Sequence, residues 1–212
     1  MRYRDNGVTE KINGVQKEIR ELESGEKNKM ASFGQHMLRI ISEIERNKRR
    51  FTKMPIGPLG AHIKVHERVP DNVVTIIEGE LGNILNAFVV DTNADQMVLS
   101  DIFNKLNVPN KPLIITSEFS DRPYNIEKAR VYSSFTTLID CIHTTDATVY
   151  NTIVDNAQLE KVVVINDMHK AQEVLSNVET VPDNLKLAVV AGKYQYYPAP
   201  NYKSYFREYR PR

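Results

Sequence analysis

The sequence predicts an α/β fold with mixed sheets and flanking helices in two lobes, preceded by the end of a coiled-coil helix. Three observations predict it. Short aliphatic runs bounded by Gly, Pro, Asn or Asp recur at 84–90, 113–115, 161–165 and 185–191, and each fits a strand covered on both faces. Helical patterns alternate with them, which is the signature of α/β layering. At the N-terminal end Val8, Ile12, Val15, Ile19 and Leu22 follow a spacing of four, three, four and three with charges between. That is an a/d seam, and two heptads are too few to be stable alone, so it reads as the cut end of a longer coiled coil or as one amphipathic surface helix.

Taken in order, the seam is interrupted at Ser24-Gly25 and resumes at Met30, Phe33, Met37, Ile41 and Ile44, a second helix that ends in the basic run 46–50. Pro and Gly then force a tight non-helical path over 51–60, and 61–66 reads as a strand. The central unit is 71–98. Asp71 after Pro70 is a fair N-cap, and Val73, Val74, Ile76 and Ile77 form an apolar helical face. Gly79 and Gly82 are read as ending that helix. The strand at 84–90 and the turn at 91–93 lead into a helix over 94–106 with Met97, Val98, Ile102 and Leu106 inward. The polar stretch 117–130 is a crossover between lobes. Segments 135–142 and 146–154 read as helices, 161–165 as the clearest strand, 168–175 as a short helix and 185–191 as the last strand. The domain reading is therefore 1–29 as an arm end, 30–130 as lobe one, 131–200 as lobe two and 201–212 as a basic aromatic tail leading to an outgoing coiled coil.

Composition bounds function. A chain of 212 residues with 41% hydrophobic and 26% charged residues suits a soluble globular protein. No apolar run approaches the roughly 18 residues a membrane span needs, and no signal peptide opens the chain. The single cysteine, Cys141, has no disulfide partner, suggests a reducing compartment and reads as a buried structural thiol. The net charge of +1 hides a strong asymmetry: +5 over 1–53, −8 over 54–192 and +4 over 193–212. If the two basic ends meet, they form a positive patch.

The chemistry-bearing patterns are few. Gly57/Gly60 and Gly79/Gly82 are followed by no Lys-Ser/Thr, so no phosphate loop is present and function is expected from surfaces rather than a pocket. The histidines His36, His62, His66, His143 and His169 show no set of three or four ligands near in sequence, so no metal is expected, and no cofactor. Acidic residues show no pairing for acid/base catalysis, so this stretch is not expected to be an enzyme. Two signals remain. Arg46, Lys48, Arg49, Arg50 and Lys53 are basic, as are Lys193, Lys203, Arg207 and Arg210, the latter interleaved with Tyr194, Tyr196, Tyr197, Tyr202, Tyr205, Phe206 and Tyr209. Cations neutralise phosphates and aromatics stack unpaired bases; the alternative is a solvated helix end and a tail packed on its own domain. The glycines, for their part, mark either an edge where another sheet docks or simple helix caps.

A family resemblance is carried by specific residues. Gly57-Pro58-Leu59-Gly60-Ala61-His62-Ile63-Lys64-Val65 is followed by a helix into Glu80-Leu81-Gly82-Asn83-Ile84-Leu85-Asn86-Ala87-Phe88-Val89-Val90 and then Asn93-Ala94-Asp95. Over about residues 31–200 this resembles the hinge domain of structural-maintenance-of-chromosomes (SMC) proteins. Asn83 stands where that family usually has a second glycine, and its C-terminal glycine cluster is reduced to Gly192. With Ile115-Thr116-Ser117-Glu118-Phe119 and Ala191-Gly192-Lys193-Tyr194, the pattern looks like subunit six of the eukaryotic five–six complex.

The resemblance implies a two-lobed hinge where an antiparallel coiled coil folds back, with ATP hydrolysis left to distant heads. It implies a heterodimer with the hinge of subunit five, through Gly79, Gly82, Asn83, Ile84 and Asn86 and through a second-lobe edge at Val163, Ile165, Val189 and Gly192. It also implies binding of DNA, single strands especially, for which the basic runs offer Arg46, Lys48, Arg49, Arg50, Lys53, Lys193, Lys203, Arg207 and Arg210 as candidates. The setting would be the nucleus and chromosome, in repair, recombination and segregation. A small α/β cofactor enzyme and a protein-interaction scaffold without DNA binding remain the alternatives.

Overall fold

The computed structural model describes residues 15–211 apart from 20, 22, 23, 26, 27 and 29. Val8, Ile12 and Leu22 of the seam lie outside the described residues. The described residues of 15–31 are helical, with Val15 and Ile19 exposed. The second helix does not run through from Met30: the chain breaks at Gly34, whose φ of 131° a helix cannot hold, and α1 spans Met37–Arg46. It buries Met37, Ile40 and Ile44.

The segment 51–63 explains why its glycines are there. Ile56 bridges Val89, and an added Cβ at Gly57 would lie 2.6 Å from the Phe88 ring. At Gly60 a Cβ would lie 2.4 Å from the Phe33 ring. At both positions an aromatic ring occupies the space a side chain would need. The strand expected at 61–66 shrinks to β1, Lys64–Val65, after a 3-10 turn at Leu59–His62.

Helix α2 spans Asp71–Leu81 and buries Val73, Ile76, Ile77 and Leu81. Pro70, not Asp71, is its N-cap, which leaves the Asp71 carboxylate in the first turn where the helix dipole favours it. Gly82 is the C-cap, with φ 49°; Gly79 sits inside the helix and ends nothing. A 3-10 turn over Gly82–Asn86 takes up half of the strand expected at 84–90, so β2 is only Phe88–Val90, buried throughout. Thr92 then caps α3, Asn93–Lys105, accepting from Asp95 N. Leu99, Ile102 and Phe103 face inward, while Met97, expected inward, is 71% exposed. Strand β3, Ile114–Thr116, runs parallel to β2 and is half-buried rather than fully covered.

The helix expected at 135–142 does not form. Thr136–Thr137 is β4, a 3-10 turn follows at Leu138–Cys141, and Ile142–His143 is β5, antiparallel to β1. The apolar spacing misleads here, because Leu138, Ile139, Cys141 and Ile142 are buried all round and have no solvent face. Helix α4, Ala147–Ala157, is capped by Asp146. Strand β6, Val162–Ile165, and α5, Met168–Leu175, fall where the sequence places them, as does β7, Leu187–Val190.

The last segment departs from the expectation of a tail. Tyr194–Tyr197 forms β8 and Lys203–Phe206 forms β9, a hairpin on β7. The sheet order is β4-β6-β7-β8-β9, with β6 and β7 parallel and the other pairs antiparallel. The α/β class with mixed sheets and flanking helices is thus the one observed.

Among the described residues three apolar clusters fill the interior. One lies under α1, β2 and α3, and one under α5 and one face of the five-stranded sheet. The largest joins α2 and β2 to α4 and the other face of that sheet, so the halves share a core.

Candidate functional site

Functional surfaces here are built on α2 and the ends of the chain. The C-terminal half of α2 meets Phe33 on one side and the segment 195–209 on another. Phe33 lines an apolar cleft of about 220 Å³ with Gly60, Ile77, Glu78, Leu81 and Leu85. On another side of α2, the exit segment docks through a polar network. Glu80 Oε1 accepts from Tyr209 Oη at 2.6 Å, Gln195 Nε2 at 2.8 Å and an Arg207 guanidinium N–H at 3.1 Å. Arg207 donates a second bond to the Gly79 carbonyl at 2.8 Å. The Tyr209 ring takes the place of a Gly79 side chain, since a Cβ there would be 2.5 Å from it. Burial, and after it the bond to Glu80, pushes the Tyr209 phenol far above its ordinary range, so it stays a donor.

This places Gly79 against its own chain rather than on a free edge. Gly82, Asn83, Ile84 and Asn86 form the adjacent corner. Asn83 is exposed, the others are half-buried, and a Cβ at Gly82 would meet nothing within 4 Å. The second-lobe edge is corrected. Val163, Ile165 and Val189 lie on the inner strands β6 and β7 and are buried among other strands and helices. β-strands with a neighbour on each side have no free N–H or C=O to offer a partner. The sheet's edges are β4 and β9, and β9 is exposed along its length. Gly192 is in the β7–β8 turn with φ 66° and open space around it.

The two basic runs are placed differently. Arg46 pairs with Glu43, Lys48 with Glu45, Arg50 with Asp101 and Lys53 with Asp91. Asp91 also accepts from Phe119 N at 2.7 Å; that bond and then Lys53 hold its carboxyl below the usual range. Arg49 is exposed and makes no ion pair among the described residues. In the second run Lys203 lies 4.9 Å from the Tyr197 ring centroid and 5.8 Å from that of Tyr205. Arg207 is 5.1 Å from the Tyr209 ring, and Arg210 pairs with Glu208. Lys193 is exposed in the β7–β8 turn. No hydrogen bond or ion pair among the described residues joins 46–53 to 193–211. Strand pairing of Tyr197 with Lys203 and of Gln195 with Tyr205 puts these four side chains, with Arg207, on one face of the hairpin. Two Tyr-rich runs, 194–197 and 202–206, flanking a Pro-Ala-Pro-Asn turn are the signal that could have predicted this hairpin; it is masked by Pro198 and Pro200.

Cys141 is buried and its thiol is pushed up, chiefly by burial. No group of three His, Cys, Asp or Glu that could hold a metal occurs among the described residues. Among the described residues no helix is long and apolar enough to cross a membrane.

No family model matches the chain. Curated relatives do. The chain is 29% identical to structural maintenance of chromosomes protein 6 homolog smc-6 of Caenorhabditis elegans over 210 residues, covering 98% of the chain and 18% of the relative. It is 32% identical to structural maintenance of chromosomes protein 6B of Arabidopsis thaliana over 77% of the chain and 16% of the relative. For the human protein 6 the identity is 28%, over 89% of the chain and 17% of the relative. The chain therefore spans under a fifth of the length of these relatives. Among solved structures, the Schizosaccharomyces pombe Smc5/6 hinge domain superposes with a TM-score of 0.76 at 22% identity, over 97% of the chain and 76% of that structure. The Pyrococcus furiosus Smc hinge with an extended coiled coil gives 0.52 at 20% identity, over 98% and 70%.

Proposed function

We propose, for a chain that is an SMC-type hinge domain resembling that of subunit six, that it joins two long arms by pairing with a subunit-five hinge and binds single-stranded DNA on its basic faces. The observation that carries the pairing is the superposition on the Smc5/6 hinge over 97% of the chain. The open corner at Gly82–Asn86 offers one docking edge, and the exposed strand β9 with the Gly192 turn offers the other. The fold supports a non-catalytic module; nucleotide hydrolysis belongs to other parts of a full-length SMC chain, and the setting follows as chromosome maintenance in the nucleus. The cofactor-enzyme alternative has no observation in its favour.

DNA binding has two supports. Arg49 alone of its run has no ion pair among the described residues and presents its charge to solvent just past α1, and the hairpin places Lys203 against two tyrosine rings. Cations set among aromatic faces suit a strand with unstacked bases. Size-exclusion of this chain mixed with a subunit-five hinge tests the pairing: a 1:1 complex is expected, and separate elution of the two overturns it. Fluorescence anisotropy with labelled oligo(dT) across a salt series tests the DNA reading: affinity is expected to fall steeply with salt, and a flat response overturns it.

A further inference from the structure

The hairpin face carries one anion in its midst. Glu80 lies on α2, more than a hundred residues from the hairpin in sequence, yet its Oε1 takes the Arg207 guanidinium, Tyr209 and Gln195 together. Arg207 is 41% exposed at its side chain while Glu80 is 12% exposed, so the cation reaches solvent and its counter-ion does not. Lys203, on the same face two positions from Tyr205, has aromatic neighbours and no ion pair among the described residues. Two cations of one face are thus in opposite states: Lys203 available, Arg207 already neutralised.

We infer that Glu80 is a built-in competitor of nucleic acid, an autoinhibitory counter-ion that withholds Arg207 from phosphate until it is displaced. This rests on the reading of the hairpin as a DNA-binding face. A phosphate approaching Arg207 must take over the donor that Glu80 holds, and it meets the Glu80 charge as it does so; both oppose binding. The second Arg207 bond, to the Gly79 carbonyl, keeps the guanidinium in place when the carboxylate is neutralised. Glu80 therefore controls availability rather than position.

The experiment compares oligo(dT) affinity of the wild-type chain, Glu80→Gln, Arg207→Gln and the double variant, by anisotropy over a salt series. Glu80→Gln keeps a side-chain oxygen for Tyr209, and its melting temperature checks the fold. The expected result is affinity raised on the order of three- to tenfold in Glu80→Gln, from removal of one nearby like charge. The salt slope should steepen by about 0.7, one added phosphate contact on a single strand. In the double variant the gain should vanish. A gain that survives loss of Arg207, or no gain at all, overturns the inference while leaving DNA binding standing. Absence of binding in every variant overturns the DNA reading and the inference with it. Should Glu80→Gln fail to fold, Arg207→Gln decides alone against Lys203→Gln: a withheld Arg207 is worth little, so losses of equal size overturn the inference.

Discussion

The corner at Gly82–Asn86 and the strands β6 and β7 look alike as sequence: each is a short aliphatic run, with glycine in the corner and after β7, and each resembles a docking edge. Their surroundings are opposite. The corner follows a helix cap into a 3-10 turn, with Asn83 exposed and nothing against Gly82. The strands are enclosed, with β4 outside β6, β8 and β9 outside β7, and Val163 and Val189 fully buried. An edge is a property of strand order, and strand order depends on where a segment far along the chain returns. Here the return of 194–206 onto β7 converts an expected edge into a core.

That contrast can be broken by substitution. Val163→Asp places an unpaired carboxylate between the sheet and α5 and should cost roughly 4 kcal/mol or more, enough to abolish the cooperative urea transition. A folded Val163→Asp protein would return β6 to the surface. Gly82→Glu is expected to retain the fold at a cost of about 1–3 kcal/mol, since its φ of 49° with ψ −122° is strained for any side chain. It should also weaken pairing with the subunit-five hinge. Asn83→Glu separates these effects: its melting temperature should hold while partner affinity falls by about tenfold, roughly 1.4 kcal/mol. Unchanged affinity by titration calorimetry would remove the corner from the interface.

Smaller effects test the basic runs. Arg49→Glu/Arg50→Glu should lower oligo(dT) affinity several-fold at low salt. Lys48→Gln, whose cation is already paired with Glu45, should change it little. The smallest effect concerns pH. Glu43, with the Lys105 bond first and Asn47 next, and Asp91 have carboxyls held below their ordinary values. Their stabilisation is present above the unfolded-state values and is lost as pH falls through the folded ones. Glu160, pushed up by burial, acts in the opposite sense and is relieved on acidification. Urea midpoints should therefore hold near neutrality and decline below about pH 4; a midpoint that rises there would mean that Glu160 dominates.

How much was legible follows from which interactions are local. Helix α5 and strands β6 and β7 were readable because each carries a cap or a strong apolar run within itself: Asp167 accepting from Lys170 N, or four consecutive aliphatics. The 135–142 segment was misread because its aliphatics are buried on all sides, and periodicity has no meaning without a solvent face. Met97 fits an inward pattern yet faces solvent, because the α1 and β2 contacts of α3 fall on Leu99, Ile102 and Phe103. The Gly-Pro-Leu-Gly motif announced a tight non-helical path; that the rings of Phe88 and Phe33 pack against its glycines could not be read from it.

By itself the sequence determined the α/β class, the central helix–strand–helix unit, the basic ends with their tyrosines and the resemblance to SMC hinges, all of which rest on residues near one another along the chain. The tertiary structure alone decided which strands are edges, which glycine is open and which is filled by Tyr209, and which cation has a counter-ion. Those outcomes depend on pairings such as Glu80 with Arg207, across more than a hundred residues. Charge and burial are settled by what comes to lie alongside, and only the folded chain brings those partners together.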